Sequence, residues 1–327
     1  MSSTEGTNNG PPYINKANAM LGGHPTVSLD IPICAVLLAL YVLGAIGNMT
    51  IYQINRRRGH KFLMSWAMFG FCMARNATFS LRIAWATQPN NGRIVIASQI
   101  FSAAGVLVAY IVVLLLSLRI FRATHPELGW NKGIRIGCKV LYAALFVAFV
   151  LTISFTIESF YTLDMHMKNV ALWVTRASSL VMLLFNLASL IILCLSIFLP
   201  RTSPPENFGT GSLQKKTAIL STMMFFVLFI IGFRFGTAWT DARPASKPAW
   251  FDSKPAFYII EFVLELVVIY TLLLIRFDRI FWVPNGSAKA GDYHLWTGYH
   301  QKDEGMTLSA SEEDSEPELK IHGAAAV

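Results

Sequence analysis

Charge is scarce in this chain of 327 residues, because Asp, Glu, Lys and Arg together make up only 14% of it. Soluble domains usually carry about 25% charged residues. Hydrophobic residues account for 54%, so the composition excludes an ordinary soluble enzyme, a disordered protein and a fibrous protein. The formal net charge of +8 then indicates contact with the anionic inner leaflet of a membrane, and not with nucleic acid.

The side chains that perform catalysis are missing from the long apolar segments of the chain. All seven histidines lie outside these segments, none of the segments has an internal aspartate, and no Gly-x-Ser-x-Gly motif is present. The last apolar segment also lacks the lysine that a retinal Schiff base needs. We therefore predict a protein with no catalytic activity, no bound metal and no cofactor. The four cysteines fall within or beside apolar segments, which predicts no disulfide framework.

Long apolar segments are abundant. A helix needs about 20 mostly apolar residues to cross roughly 30 Å of hydrocarbon. Short polar breaks separate the segments that meet this requirement, and no soluble domain is evident. The sequence therefore predicts an all-α membrane protein with a seven-transmembrane helix bundle over residues 31–277. The seven segments are Ile31–Ile54, Phe62–Gln88, Ile94–Phe121, Cys138–Leu163, Val170–Pro200, Ala218–Thr240 and Ala256–Phe277.

Basic residues are distributed unevenly between the loops. The first, third and fifth loops contain ten Lys and Arg residues, whereas the second, fourth and sixth contain five. Because basic loops stay in the cytosol, this bias predicts a polar extracellular tail over residues 1–30 and a cytosolic C-terminus. We expect a multi-pass protein of the plasma membrane. Its first inner loop is expected to anchor to the inner leaflet through Arg56, Arg57, Arg58 and Lys61.

Ionisable residues inside the predicted spans are the most informative feature. Each one costs about 2.5–3.5 kcal/mol at the centre of a membrane helix, so lipid-facing placement without a partner is disfavoured. Two interpretations stay open: an interhelical network of salt bridges, or a polar ligand pocket that opens to the outside. We expect Glu261 or Glu265 to pair with Arg176 or Arg234, and Glu158 to pair with Arg82 or a neighbour. The full set is Arg75, Arg82, Glu158, Arg176, Arg234, Glu261 and Glu265.

Residues 278–327 form a tail that is predicted to be cytosolic, acidic and disordered, because the stretch from Asp303 to Glu318 is polar and acidic and has no apolar period. Ser309, Ser311 and Ser315 each precede an acidic residue by three positions, a pattern that acidophilic kinases favour. These serines are candidate phosphorylation sites, and each phosphate would add about −1.5 to −2 charge. The alternative is a solvating tail whose negative charge keeps it away from the inner leaflet.

Four motifs occur in order along the chain at matching topological places: Leu21-Gly-Gly-His-Pro25, Arg58-Gly-His-Lys-Phe62, Gly70-Phe-Cys-Met-Ala-Arg75 and His125-Pro-Glu-Leu-Gly-Trp130. Through these motifs the chain resembles a family of fungal seven-span membrane proteins of undefined function. The resemblance extends from about Leu21 to about Phe277. Its members are often labelled family-C-like G-protein-coupled receptors. The resemblance implies a seven-span fungal membrane protein with a receptor role, and it implies no particular ligand.

Three functions are compatible with the sequence. The first is a receptor-like sensor that binds a small molecule in its outer half and engages a heterotrimeric G protein or another cytosolic partner. The second is a seven-span transporter or lipid-translocating protein, which broken helices and charges across the full membrane depth would favour. The third is a membrane organiser that binds no ligand.

Overall fold

A computed structural model describes residues 10–14, 17–201 and 203–293, and these residues fold into a bundle of long helices. The candidate phosphorylation sites Ser309, Ser311 and Ser315 lie outside the described residues. The helices up to the fifth loop are α1 (Val27–Arg57), α2 (Leu63–Thr87), α3 (Gly92–Thr124), the one-turn α4 (Pro126–Gly129), α5 (Lys132–Tyr161) and α6 (Met165–Phe198). They are followed by α7 (Leu213–Trp239), a 3₁₀ turn (Trp250–Asp252), α8 (Lys254–Ala256), a π-helical segment (Phe257–Val263), α9 (Leu264–Leu274) and α10 (Phe277–Ile280).

Among the described residues, which are helical and contain no strand, six helices are long and apolar enough to cross a membrane, and they make the chain a multi-pass integral membrane protein. The last of them, Lys254–Leu274, is continuous and consists of α8, the π-helical segment and α9. We call it the last long helix. Helix α2 has 25 residues but is less apolar, because it contains Arg75, Arg82 and several small polar residues. The other five are Val27–Arg57, Gly92–Thr124, Lys132–Tyr161, Met165–Phe198 and Leu213–Trp239.

Helix α3 lies at the centre of the bundle. It packs against α2, α5, α6 and α7, while α1 packs against α2 and the last long helix. Helix α5 is different, because large apolar side chains such as Ile136, Val140 and Phe146 are exposed along it. An apolar surface of this extent is unfavourable in water but suits contact with lipid. The exposed face of α5 is therefore a lipid-facing surface.

The first described residues cover the end of the bundle at which α1 begins, which we call the N-terminal end. Asn18 and Pro244 form an isolated β-bridge there, and the Ala19 amide donates to the Arg243 carbonyl over 2.8 Å. Gly22 has a φ of +73°, and a Cβ at this position would lie 2.5 Å from the Phe257 ring. Residues 17–25 are therefore folded onto the bundle, so part of the predicted extracellular tail is an ordered cover.

The segment Phe277–Tyr293 lies over the opposite end of the bundle, which we call the C-terminal end. We call this segment the C-terminal cover. The Glu206 carboxylate accepts hydrogen bonds from the Gly291 and Tyr293 amides over 2.8 and 3.2 Å. The Tyr293 side chain is 1% exposed and packs against Trp130 and Phe208. The prediction of disorder from residue 278 onward is therefore wrong for residues 278–293. A composition averaged over the whole acidic tail conceals the apolar side chains at its start.

Asp278 fixes the beginning of this segment to α1. Its carboxylate accepts a hydrogen bond from the Asn55 side chain over 2.9 Å and pairs with Arg276 at 3.1 Å. Burial raises the pKa of Asp278, but the hydrogen bonds from Arg276 and Asn55 outweigh burial and hold the pKa below its ordinary value. The carboxylate is consequently charged at neutral pH. The contact between the segment and α1 is therefore charge-assisted.

Candidate functional site

The most buried ion pair joins α2 to α9. The Arg75 guanidinium donates to both Glu265 oxygens, from Nε over 2.6 Å and from Nη2 over 2.5 Å. Both side chains are almost completely buried, at 0% and 2% exposure. The Tyr41 hydroxyl on α1 lies 3.2 Å from Glu265 Oε2. Because the two donors of arginine match the two oxygens of a carboxylate, this bidentate pair fixes direction as well as distance.

Arg75 also reaches α3, because a glycine lies opposite it. Its Nη1 donates to the Ser102 carbonyl over 2.7 Å. A Cβ at Gly105 would lie 2.9 Å from the Arg75 guanidinium carbon, so a larger residue there would displace the guanidinium. Arg75 thus contacts two helices through hydrogen bonds and needs the absence of a side chain on one of them.

A second cluster lies nearer the N-terminal end and centres on Asp30. Oδ1 of Asp30 accepts hydrogen bonds from the Tyr258 hydroxyl over 2.6 Å and from Arg82 Nη2 over 3.2 Å. Oδ2 accepts from Lys254 Nζ over 2.5 Å and from the Thr26 amide over 2.7 Å. The buried Asp30 carboxylate therefore connects α1, α2 and the last long helix, and two cations compensate its charge.

Arg82 connects this cluster to the cover of the bundle. Its Nε donates to the Tyr258 hydroxyl over 2.8 Å, and its Nη2 donates to the Gly22 carbonyl over 2.8 Å. The guanidinium carbon lies 4.4 Å from the centre of the Phe257 ring, in a cation–π geometry. Arg82 consequently holds residues 17–25 against the helices.

The third ion pair joins α7 to the last long helix. Arg234 Nη2 donates to Glu261 Oε2 over 2.8 Å and lies 3.3 Å from the Ser102 carbonyl, which Arg75 also contacts. Glu261 belongs to the π-helical segment, and π-helical turns occur often at functional sites. Glu261 and Glu265 are four positions apart, a spacing that places two side chains on the same face of a regular α-helix. In the structure the widened π-helical turn separates their partners, because Glu261 pairs with Arg234 on α7 and Glu265 pairs with Arg75 on α2.

These contacts confirm one predicted pair and contradict another. Glu261 pairs with Arg234, as expected, but Arg82 meets Asp30 and not Glu158. Glu158 is exposed on α5 and makes no ion pair with any residue that the structure describes. The pairing of Glu158 with Arg82 is therefore wrong. The competing carboxylate was overlooked because Asp30 precedes the first apolar residue of the predicted span, although α1 begins at Val27.

Arg176 belongs to a separate and weaker arrangement. It donates to the Ala238 and Thr240 carbonyls at the end of α7 over 3.2 and 3.4 Å. Its ion pair with Asp241 measures 2.9 Å, and the Asp241 side chain is 96% exposed. Exposed pairs contribute about 0–1 kcal/mol. Arg176 therefore serves mainly to hold α6 against the carbonyl end of α7.

The ion pairs of Arg75, Arg82, Arg234 and Lys254 belong to one set of residues, which we call the charge network. It contains four cations and three carboxylates, so it has one positive charge in excess. Its members are Arg75, Arg82, Arg234 and Lys254 with Asp30, Glu261 and Glu265. Of these residues, Asp30 and Lys254 were not anticipated. Both lie just outside an apolar segment. The signal that could have identified them is an ionisable residue directly at the border of such a segment.

The charge network borders a cavity of 310 Å³ at the N-terminal end, which we call the N-terminal cavity. Met20 and Leu21 of the cover lie on one side, and Trp85 and Phe257 provide aromatic walls. Polar groups come from α2, α3, α7 and the π-helical segment: Thr78, Arg82, Ser98, Gln99, Ser102, Arg234 and Glu261. An apolar pocket with a few converging polar groups is the usual form of a small-molecule site.

One polar atom of a residue that lines the cavity lacks a hydrogen-bond partner among the described residues. It is Arg234 Nε, and it is buried. A buried donor without a partner costs about 1–3 kcal/mol. Because Arg234 lines the cavity, a molecule bound there with an acceptor group could satisfy its Nε. The charge network has one positive charge in excess, which favours a bound molecule with a negative charge.

The predicted basic anchor lies at the C-terminal end, away from the charge network. Arg56, Arg57, Arg58 and Lys61 are all exposed. The Asn285 side chain connects this loop to the C-terminal cover, because it donates to the Gly59 carbonyl over 2.9 Å and accepts from the Lys61 amide over 3.3 Å. The structure thus separates the two sets of candidate residues at opposite ends of the bundle.

Comparison with known proteins gives no match among family models, curated proteins or solved structures. The functional argument therefore depends on the chain's own geometry.

Proposed function

We propose that α2 is a seventh membrane span and that the N-terminal end faces the outside. Helix α2 packs between α1 and α3 and has 25 residues, which at about 1.5 Å per residue exceeds the roughly 30 Å of the hydrocarbon core. Its two arginines are paired with Glu265 and Asp30, which removes the objection to placing them in a membrane. The orientation follows from the excess of Lys and Arg in the loops at the C-terminal end.

We further propose that the protein is a receptor-like sensor of the plasma membrane. Its ligand is a small molecule with one negative group and an apolar body, bound in the N-terminal cavity. The single observation that carries this proposal is the cavity itself, in which aromatic walls meet a charge network with one unbalanced cation. The resemblance to fungal receptor-like proteins favours the same role.

A route from the cavity to the opposite end exists along the last long helix. A ligand carboxylate at Arg234 would compete with Glu261 for the guanidinium and so weaken the link between α7 and the last long helix. That helix ends near Arg276, which has a left-handed φ of 55°, and continues into the C-terminal cover. A ligand that favours one arrangement of this helix would shift the equilibrium between conformations of the cytosolic surface. A heterotrimeric G protein is our candidate for the partner that reads this surface.

The test compares acids with amines of similar shape. Phenylacetate and octanoate are expected to raise the thermal unfolding temperature of the purified protein, whereas phenethylamine and octylamine are not. A ligand at 100 times its dissociation constant stabilises the folded state by about 2.7 kcal/mol. The shift should disappear in Arg234→Gln, persist in part in Arg234→Lys, and remain in Arg176→Gln, whose cation lies outside the cavity.

Equal shifts with acids and amines, or no shift with either, would contradict a site for anions. The absence of any shift favours the membrane organiser. If proteoliposomes that contain the protein accumulate the acid that binds, the transporter replaces the receptor as the better account. Acid-dependent capture of a G-protein α subunit by the wild type, but not by Arg234→Gln, is the outcome expected of a receptor.

A further inference from the structure

A second cavity, at the C-terminal end, has a different chemistry. It has a volume of 430 Å³, within the range of about 300–1,000 Å³ that is usual for small-molecule sites. It lies between α3 and the C-terminal cover, with the stretch Val283–Ser287 forming one wall. Three cations line it, Lys61, Arg119 and Arg122, and no carboxylate belongs to the lining among the residues that the structure describes.

These cations differ from the arginines of the charge network. Each of Arg75, Arg82 and Arg234 has a carboxylate within 3.2 Å. Arg119 and Arg122 have no carboxylate within 4.0 Å in the described part of the chain. Two neighbouring guanidinium groups and a lysine without counter-ions repel one another. Such an arrangement is stabilised when an anion binds among them.

The two arginines are also held in position. Arg119 donates to the Phe281 carbonyl over 2.5 Å, and its guanidinium carbon lies 5.3 Å from the centre of the Phe62 ring. Arg122 donates to the Gly129 carbonyl over 3.3 Å and lies 4.4 Å from the centre of the Trp130 ring. A guanidinium has five N–H donors. Arg122 also has a side-chain hydrogen bond with Tyr293, so the contacts shown here engage fewer than half of the donors of either arginine.

We propose that this cavity binds a phosphorylated headgroup with several negative charges. Phosphate oxygens accept the paired N–H donors of arginine, and basic pockets at the cytosolic ends of membrane helices suit such headgroups. The bound headgroup would join α3 to the C-terminal cover, because Arg119 contacts Phe281 and the cover forms a wall of the cavity. This site is independent of the N-terminal cavity and does not require the proposed ligand there.

The experiment uses the full chain in phosphatidylcholine nanodiscs and two probes. One arm adds phosphatidylinositol 4,5-bisphosphate to the bilayer, and the other adds soluble inositol 1,4,5-trisphosphate. Native mass spectrometry and a binding isotherm report occupancy. Removing one cation is expected to weaken binding about tenfold, which corresponds to about 1.4 kcal/mol. The variants are Arg122→Gln and Lys61→Gln, and the exposed Lys61 permits the substitution without disturbing the core.

Lys132→Gln is the matched control, because it removes one exposed positive charge from the same end and Lys132 belongs neither to the cavity lining nor to the predicted basic anchor. The proposal predicts wild-type affinity for this variant. Binding of the lipid alone identifies the inner leaflet as the source of the headgroup, and binding of the soluble probe alone identifies a cytosolic compound. Failure of both probes to bind, or an equal loss in Lys132→Gln and Arg122→Gln, would overturn the proposal.

Discussion

Glu265→Gln is expected to destabilise the folded protein by about 3–5 kcal/mol, because it leaves the charge of Arg75 buried without a counter-ion. Arg75 is fully buried and donates two hydrogen bonds to this carboxylate, so neither lipid nor water can replace it without opening the bundle. The free energy of unfolding, measured by titration with a denaturing detergent, reports the effect. The fraction of protein that elutes as a single folded species should fall as well.

Two further variants separate the lost ion pair from a general effect of removing a carboxylate. Glu158→Gln removes an exposed carboxylate that has no ion pair among the described residues, and should change stability by less than about 0.5 kcal/mol. The double variant Arg75→Met with Glu265→Leu removes both charges and should recover most of the loss, since apolar replacements of buried pairs are often neutral. A Glu265→Gln protein as stable as the wild type would mean that Arg75 reaches water or lipid headgroups.

Asp30→Asn is expected to have an effect of similar size, about 3–5 kcal/mol, because two cations lose their shared carboxylate. Arg82 and Lys254 both contact Asp30, and the amide of an asparagine would also face the Tyr258 hydroxyl and the Thr26 amide with one acceptor fewer. Thermal unfolding monitored by tryptophan fluorescence is the measurement. Trp85 lies 5.9 Å from the Arg82 guanidinium and close to the cluster.

Asp241→Asn is the control for this second prediction. Asp241 also pairs with an arginine, Arg176 at 2.9 Å, but its side chain is 96% exposed. The loss of such a pair should cost no more than about 1 kcal/mol. Equal effects of the two substitutions would show that burial does not determine the strength of these pairs, in disagreement with the arrangement described above.

The sequence predicted the existence of the charge network better than its connections. Hydropathy identified five of its seven members, Arg75, Arg82, Arg234, Glu261 and Glu265, and the pairing of Glu261 with Arg234 was among the expected pairs. Arg75 and Glu265 were both recognised but were not expected to pair, because Glu265 was assigned to Arg176 or Arg234. The hydropathy of the sequence does not reveal the widened turn at Phe257–Val263, which carries Glu261.

Residues at the borders of apolar runs were the main omission. Asp30 and Lys254 are polar, so a hydropathy criterion begins the predicted spans only at Ile31 and Ala256. It therefore assigns both polar side chains to loops. In the structure α1 begins at Val27 and the last long helix at Lys254. Their ion pair depends on the approach of two helices far apart in sequence. Local composition holds no information about that approach.

The C-terminal cover was missed for a related reason. The chain after residue 278 is acidic on average, yet Phe281 and Tyr293 are buried against the helices. Their burial depends on partners such as Trp130 and Phe208, which come from other loops. A compositional prediction of disorder averages over these few anchoring side chains.

Accessibility of single cysteines to a membrane-impermeant thiol reagent tests the central claim most directly, which is that the N-terminal cavity opens to the outside. Gln99→Cys places a thiol in the lining of this cavity, and Ser287→Cys places one in the lining of the C-terminal cavity. Both are made with Cys194→Ala, because the other native cysteines are buried. On intact cells, Gln99→Cys is expected to react and Ser287→Cys to react only after permeabilisation. The reverse pattern, or an unreactive Gln99→Cys, would contradict the account.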